Sequence, residues 1–247
     1  FDPARYTSKA VSATARDGAE IPVTLAYRRD RFRRSDNPLY LTAYGAYGVT
    51  LDPVFRPEWI SLMDRGFVVG IVHVRGGQAK GRGWHEAGRG FAKRHTFEDF
   101  VDATDELVEL GFGHPKRVFA RASSAGGLII GHLATTAASR YAGLIAHQPF
   151  VDMLTTLADD TLPLTARELG EWGDPAESSA YHFIRSISPY DRLVPQAYPA
   201  LLVTAGYQDR QVRFHEPLKW IQRMRRLDEG SALLLFDIDM TAGHSGS

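Results

Sequence analysis

Ser124, Asp209 and His244 are the residues whose types, neighbours and order along the chain can carry nucleophilic chemistry. Ser124 lies in Ala122-Ser123-Ser124-Ala125-Gly126, a knot of small residues between the apolar run that starts at Val118 and the helix-like run Leu128-Ile129-Ile130. A serine on a sharp strand-to-helix turn has its hydroxyl pushed out of the sheet, and its neighbours are small because larger ones would collide there. The usual spelling of such a turn is G-x-S-x-G, and here Ala122 takes the place of the first glycine. Centring the pattern on Ser123 instead would put Arg121 at a position that needs a small residue. Further on come Asp209, in Gly206-Tyr207-Gln208-Asp209, and His244, in Ala242-Gly243-His244-Ser245-Gly246. A histidine that takes the serine proton, and an acid that fixes the imidazole tautomer, complete what acyl transfer needs. An aspartate after a strand is commonly only a turn former, and a histidine near a chain end is commonly on the surface. It is the joint order serine, acid, histidine, each at the end of an expected strand, that favours a triad.

These residues need a scaffold that brings strand ends together. Val11 to Arg28 reads as two antiparallel strands about the Asp17-Gly18 turn, and Leu39 to Ala43 as a short strand emptying into Tyr44-Gly45-Ala46-Tyr47-Gly48. The tyrosines of that turn can be read as plain aromatic packing. Val68 to Val74 is apolar except for His73, as expected of a strand covered on both faces, and it ends in Arg75-Gly76-Gly77, a loop of the ligand-contacting kind. Thr96 to Leu110 has the 3.6-residue period at Phe97, Phe100, Val101, Thr104, Leu107 and Val108, with Thr96 and Asp99 spelling a capping box. Strands are expected at Gly143–Ala146, Leu201–Gly206 and Ala232–Asp237, and an amphipathic helix at His215–Leu227. Strands alternating with helices imply an α/β fold with a mainly parallel, doubly wound sheet and helices on both faces. Sites in such sheets form at the carboxyl ends of strands.

Composition narrows the classes. Lysine plus arginine and aspartate plus glutamate each number 29, so the net charge is zero and no electrostatic case exists for nucleic acid or an anionic membrane. The absence of cysteine excludes disulfides, thiolate metal sites and a cysteine nucleophile. No metal or cofactor is expected. No apolar run approaches the roughly 20 residues of a membrane helix and no signal-peptide pattern opens the chain, so a cytoplasmic location is expected. The first residue is Phe1 rather than methionine, which points to a fragment or a processed chain.

Read together, Tyr44-Gly45-Ala46-Tyr47-Gly48, Arg75-Gly76-Gly77, Gly81-Arg82-Gly83-Trp84, Thr96-Phe97-Glu98-Asp99-Phe100, Ser124-Ala125-Gly126-Gly127-Leu128, Pro149-Phe150-Val151-Asp152 and Glu171-Trp172-Gly173-Asp174-Pro175 carry a family resemblance. The chain resembles the catalytic domain of the prolyl oligopeptidase family, its oligopeptidase B branch in particular, over nearly its whole length. That resemblance implies an α/β-hydrolase fold across residues 1–247 and a serine-type oligopeptidase acting on short peptides, with basic peptides cut after Arg or Lys. It implies the triad Ser124, Asp209 and His244, an oxyanion site made by the Tyr44 hydroxyl and the Ala125 N–H, and an acidic specificity residue at Glu168. It also implies a β-propeller domain upstream in the full-length protein, since nothing in this chain reads as one. An arginine that holds a substrate carbonyl in the family pattern is replaced here by Gln211, with Arg210 one position early, and a second acidic pocket residue is replaced by Gly170. The chain stops three residues after His244, and a histidine so near a free end is expected to fray. Three alternatives stay open. The fold could serve an esterase or acylaminoacyl-peptide hydrolase, the chain could be a catalytically silent fragment, or Glu168 could lie in a solvated acidic turn beside Asp159 and Asp160 and pair with Arg167.

Overall fold

The computed structural model describes residues 2–159, 161 and 165–244, with 165–167 described by backbone alone. Asp160, the Arg167 side chain and Ser245 to Ser247 therefore lie outside the described residues. In chain order the elements are β1 Tyr6–Thr14, β2 Glu20–Arg28, β3 Leu39–Thr42, α1 Pro57–Asp64, β4 Val68–Val72, α2 Arg82–Glu86, α3 Arg94–Glu109, β5 Val118–Ser123 and α4 Gly127–Thr136. They continue with β6 Gly143–His147, α5 Met153–Leu157, α6 Thr165–Trp172, α7 Ser178–Ile187, β7 Leu201–Gly206, α8 His215–Leu227 and β8 Leu234–Asp239.

The eight strands form one sheet in the order β1-β2-β4-β3-β5-β6-β7-β8. The first two pairings, β1 with β2 and β2 with β4, are antiparallel, and all the others are parallel. This is the α/β-hydrolase arrangement, a mostly parallel sheet with helices against both faces. The leading hairpin turns at Asp17-Gly18, where Gly18 adopts φ +85°, as an Asp-Gly turn requires. Every residue of β4 is buried, which is why its sequence is apolar without alternation. Leu39, Leu41, Val118, Ala120, Leu144, Ala146, Leu201 and Val203 alternate into the same core from the parallel strands, and Phe97, Phe100 and Leu107 of α3 fill it from a helix layer.

Two sequence expectations need correction here. The helix over 94–109 starts two residues before Thr96, so Thr96 and Asp99 are not a capping box. Thr96 instead donates its hydroxyl to the carbonyls of Arg75 (2.7 Å) and Gly88 (3.1 Å). Asp99 is 0% exposed and accepts the backbone N–H and the guanidinium of Arg75. A buried cation outcompetes a local N–H for that carboxylate, because an unpaired buried charge costs far more than a frayed cap. For the same reason Arg75 is no ligand contact. It is 5% exposed, and its charge is spent on Asp99 and Asp17. The glycine after it, Gly76, has φ +90°, and a Cβ there would lie 2.2 Å from the Gly45 carbonyl oxygen, so this loop packs directly beneath the Tyr44 turn.

Candidate active site

The carboxyl ends of β3, β5, β7 and β8 converge on one point. At the end of β5 the backbone breaks sharply: Ser123 is still extended, with φ −134° and ψ 157°, whereas Ser124 has φ +54°. A left-handed conformation at a non-glycine residue is a strain that the surroundings must impose, and it is what distinguishes the two serines. A short 3-10 turn over Ser124–Gly126 then leads into α4. The small neighbours are explained by what surrounds them. A Cβ on Gly126 would sit 3.2 Å from the Ala122 Cβ and 3.2 Å from the Ala43 carbonyl, and one on Gly127 would fall 2.4 Å from the Pro149 Cβ. Ala122 itself is buried at 2% exposure, so its one extra methyl relative to glycine is accommodated.

His244 lies in the loop that follows β8. Its Nε2 is 2.9 Å from the Ser124 Oγ, and its Nδ1 is 2.7 Å from the Asp209 Oδ2. The Asp209 side chain is fully buried, and its other oxygen accepts the backbone N–H groups of Gln211 (2.8 Å) and Val212 (3.0 Å). A carboxylate only accepts hydrogen bonds, so Nδ1 carries the imidazole proton and Nε2 is left with a lone pair facing the serine hydroxyl. The arrangement can therefore remove a proton from Ser124 and spread the resulting positive charge toward a buried anion.

Tyr44 follows β3, with its phenol facing the Ser124 side chain. Burial raises the Tyr44 pKa, Ser124 partly opposing it, so the phenol stays a proton donor at neutral pH. Ala125 is buried directly behind Ser124, where the N–H groups at the start of a helical run have no partner within the helix. The Tyr47 hydroxyl donates to the Glu168 Oε2 at 2.6 Å, and the Trp172 indole N–H donates to the same oxygen at 2.5 Å. Tyr47 thus does more than pack on the turn: it fixes the half-buried carboxylate of Glu168 on α6, 121 residues further along the chain. Among the described residues no cation pairs with Glu168, while Asp159 bonds to Thr161 within its own turn. Arg210 and Gln211 are both exposed at the rim, and Gln211 touches the triad only through its backbone N–H on Asp209.

Four contributors carry no sequence signal that spacing could have exposed. Gln148, just past β6, is 3% exposed with φ +46°, and its amide donates to the Gly243 carbonyl at 2.5 Å, anchoring the residue before His244. Two residues on, the Phe150 N–H donates to the Ser124 carbonyl at 2.9 Å, so one short segment ties the serine turn to the histidine loop. Glu171 and Lys93 are likewise buried beside the Tyr44 turn. Among the described residues no cluster of three or more His, Asp or Glu is placed to hold a metal ion, and no helix is long and apolar enough to cross a membrane.

A model of the prolyl oligopeptidase family matches residues 53–247. The whole chain is 44% identical to the dipeptidyl aminopeptidase BI of Pseudoxanthomonas mexicana and 37% identical to protease 2 of Moraxella lacunata, covering 34% and 36% of those proteins. Oligopeptidase B from Leishmania major superposes with a TM-score of 0.96 at 37% identity, over 99% of this chain and 34% of that one. Oligopeptidase B from Trypanosoma brucei with covalently bound antipain superposes at 0.97 and 36% identity, over 100% of this chain and 35% of that one. The chain thus spans about a third of the length of the relatives it matches.

Proposed function

Because the chain belongs to the prolyl oligopeptidase family of serine peptidases, we propose that residues 1–247 form the catalytic domain of an oligopeptidase that cuts short basic peptides after Arg or Lys, working in the cytoplasm with a β-propeller domain upstream. The observation that carries this reading is the continuous chain Ser124 Oγ, His244 Nε2, His244 Nδ1, Asp209 Oδ2, with both links at hydrogen-bond distance. Ser124 Oγ attacks the scissile carbonyl as His244 Nε2 takes its proton, and Asp209 stabilises the imidazolium. The tetrahedral oxyanion is met by the Tyr44 hydroxyl and the Ala125 N–H. His244 then returns the proton to the departing amine, leaving an acyl group on Ser124. Water, deprotonated by the same nitrogen, releases the acid and restores the serine.

Tyr44→Phe keeps the ring and removes only the donor, so its effect falls on charge that develops in the transition state. The expected loss is about 3 kcal/mol in kcat, with KM little changed. Matched ester and peptide kinetics check it, and a loss confined to KM would return Tyr44 to a packing role.

Specificity rests on Glu168, a half-buried carboxylate held by two neutral donors and therefore still able to receive a cation that a bound substrate would shield from water. Truncating one partner of a shielded charge pair costs about 2 to 5 kcal/mol, so Glu168→Gln should cut the preference for arginyl over neutral substrates by roughly 30- to several-thousand-fold. With Gly170 in place of a second acid, the effect belongs near the low end. To Arg210 and Gln211, both exposed beside Asp209, we assign contact with the substrate backbone beyond the cleaved residue. An unchanged arginyl preference in Glu168→Gln would move the specificity charge elsewhere.

A second reading comes from the 44% identical relative, which bears the name of a dipeptidyl aminopeptidase. It predicts release of dipeptides from a free amino terminus. Blocking the substrate α-amine separates the two, since an endopeptidase cuts the blocked arginyl peptide and a dipeptidyl aminopeptidase does not.

A further inference from the structure

Lys93 is a buried cation that the acyl-transfer steps do not use. It immediately precedes α3 and is 1% exposed. Its Nζ donates to the Gly45 carbonyl at 2.5 Å, with the Thr96 hydroxyl at 3.5 Å, the Glu171 Oε1 at 3.9 Å and the Trp172 ring centre at 4.9 Å. Glu171, 5% exposed on α6, accepts the Tyr47 backbone N–H at 2.9 Å through that same oxygen and faces the His85 Nε2 at 2.8 Å with its other oxygen. The residues one and three positions beyond Tyr44 are thus gripped by opposite ends of one ion pair. Gly45 leaves the turn little room to shift, since it holds φ +70° and a Cβ there would lie 2.4 Å from the Thr96 Cγ2.

An ammonium buried this deeply is expensive, and an apolar side chain of the same length would fill the space at less cost. What an apolar side chain lacks is the donor to the Gly45 carbonyl and the positive charge facing the Glu171 oxygen that accepts the Tyr47 N–H. We propose that Lys93 is a positioning residue for the oxyanion donor: paired with Glu171, it clamps the Tyr44–Gly48 turn so that the Tyr44 hydroxyl stays aimed at the oxygen that becomes negative when Ser124 attacks. The proposal rests on the roles given above to Ser124 and Tyr44. Because Glu171 lies three residues after Glu168 on α6, and the Tyr47 hydroxyl bonds to Glu168, the clamp also joins the specificity carboxylate to the oxyanion donor through one turn.

The test is a double-mutant cycle on the whole chain, with rates referred to sites counted by a fluorophosphonate titrant. Alone, Tyr44→Phe should lower kcat about 100-fold. Lys93→Met should lower kcat per titrated site by about 30- to 100-fold with KM changed by less than about threefold, because what is lost is an interaction made in the transition state. In the Lys93→Met background, adding Tyr44→Phe should cost no more than about threefold further, since residues acting as a unit are not additive. Glu171→Gln, which removes the other half of the pair, should show the same non-additivity and serves where Lys93→Met does not fold. A full 100-fold penalty for Tyr44→Phe in both backgrounds overturns the clamp while leaving the triad intact. A wild-type chain that neither hydrolyses substrate nor reacts with the titrant overturns the Ser124 reading itself, and the clamp's function with it.

Discussion

Ser124→Ala is expected to lower the turnover number about a million-fold while leaving the fold and substrate affinity in place, because the serine, His244 and Asp209 act as one unit. The residual rate over water would come from Tyr44 and Ala125, which still meet the oxyanion when water attacks directly. Ser123→Ala is the internal control. Ser123 is still extended in β5, and it is Ser124 Oγ that stands 2.9 Å from the His244 Nε2. The control variant should therefore turn over within about twofold of wild type. Values of kcat per mole of folded chain on an arginyl ester check both, and the reverse pattern would place the nucleophile one residue earlier.

Asp209→Asn should cost about ten-thousand-fold in kcat, and the surrounding hydrogen bonds explain why so conservative a change does so much. The Asp209 Oδ1 accepts two backbone N–H groups, from Gln211 and Val212, and an asparagine must keep its only oxygen there. Its amide N–H₂ then faces the His244 Nδ1, which has to become the acceptor. The ring proton moves to Nε2, and a protonated Nε2 cannot take the Ser124 proton. A crystal structure of the variant with unchanged geometry, together with a rate loss of four orders of magnitude, would establish tautomer control. A loss below about tenfold would mean that Asp209 merely fills space.

The parts of this site that were legible in the sequence are those whose cause is local. The strand-end positions of Tyr44, Ser124, Asp209 and His244 follow from short apolar runs ending in small or polar residues, and β7 and α8 lie where their periodicity placed them. The small residues around Ser124 are demanded by contacts within one turn and with β3. Pairings across long sequence separations left no such trace. Thr96 and Asp99 spell a cap, yet their partner is Arg75, 24 residues before Asp99. Lys93 reaches back 48 residues to Gly45, Gln148 reaches forward 95 residues to Gly243, and the Tyr47 hydroxyl meets Glu168 across 121 residues. A charged or amide side chain in an otherwise ordinary loop reads as solvated. Only the folded sheet shows that Lys93, Asp99 and Gln148 are buried, and burial is what obliges them to find partners.

The nucleophile can be identified covalently. The intact chain is treated with a fluorophosphonate, and the adduct is located by peptide mass mapping. One phosphonyl group per chain is expected on the Ser124 Oγ, with labelling slowed by at least a hundred-fold in His244→Ala, because the serine is a nucleophile only while Nε2 can take its proton. Labelling on Ser123, labelling that is indifferent to His244, or no adduct on a folded chain would contradict it.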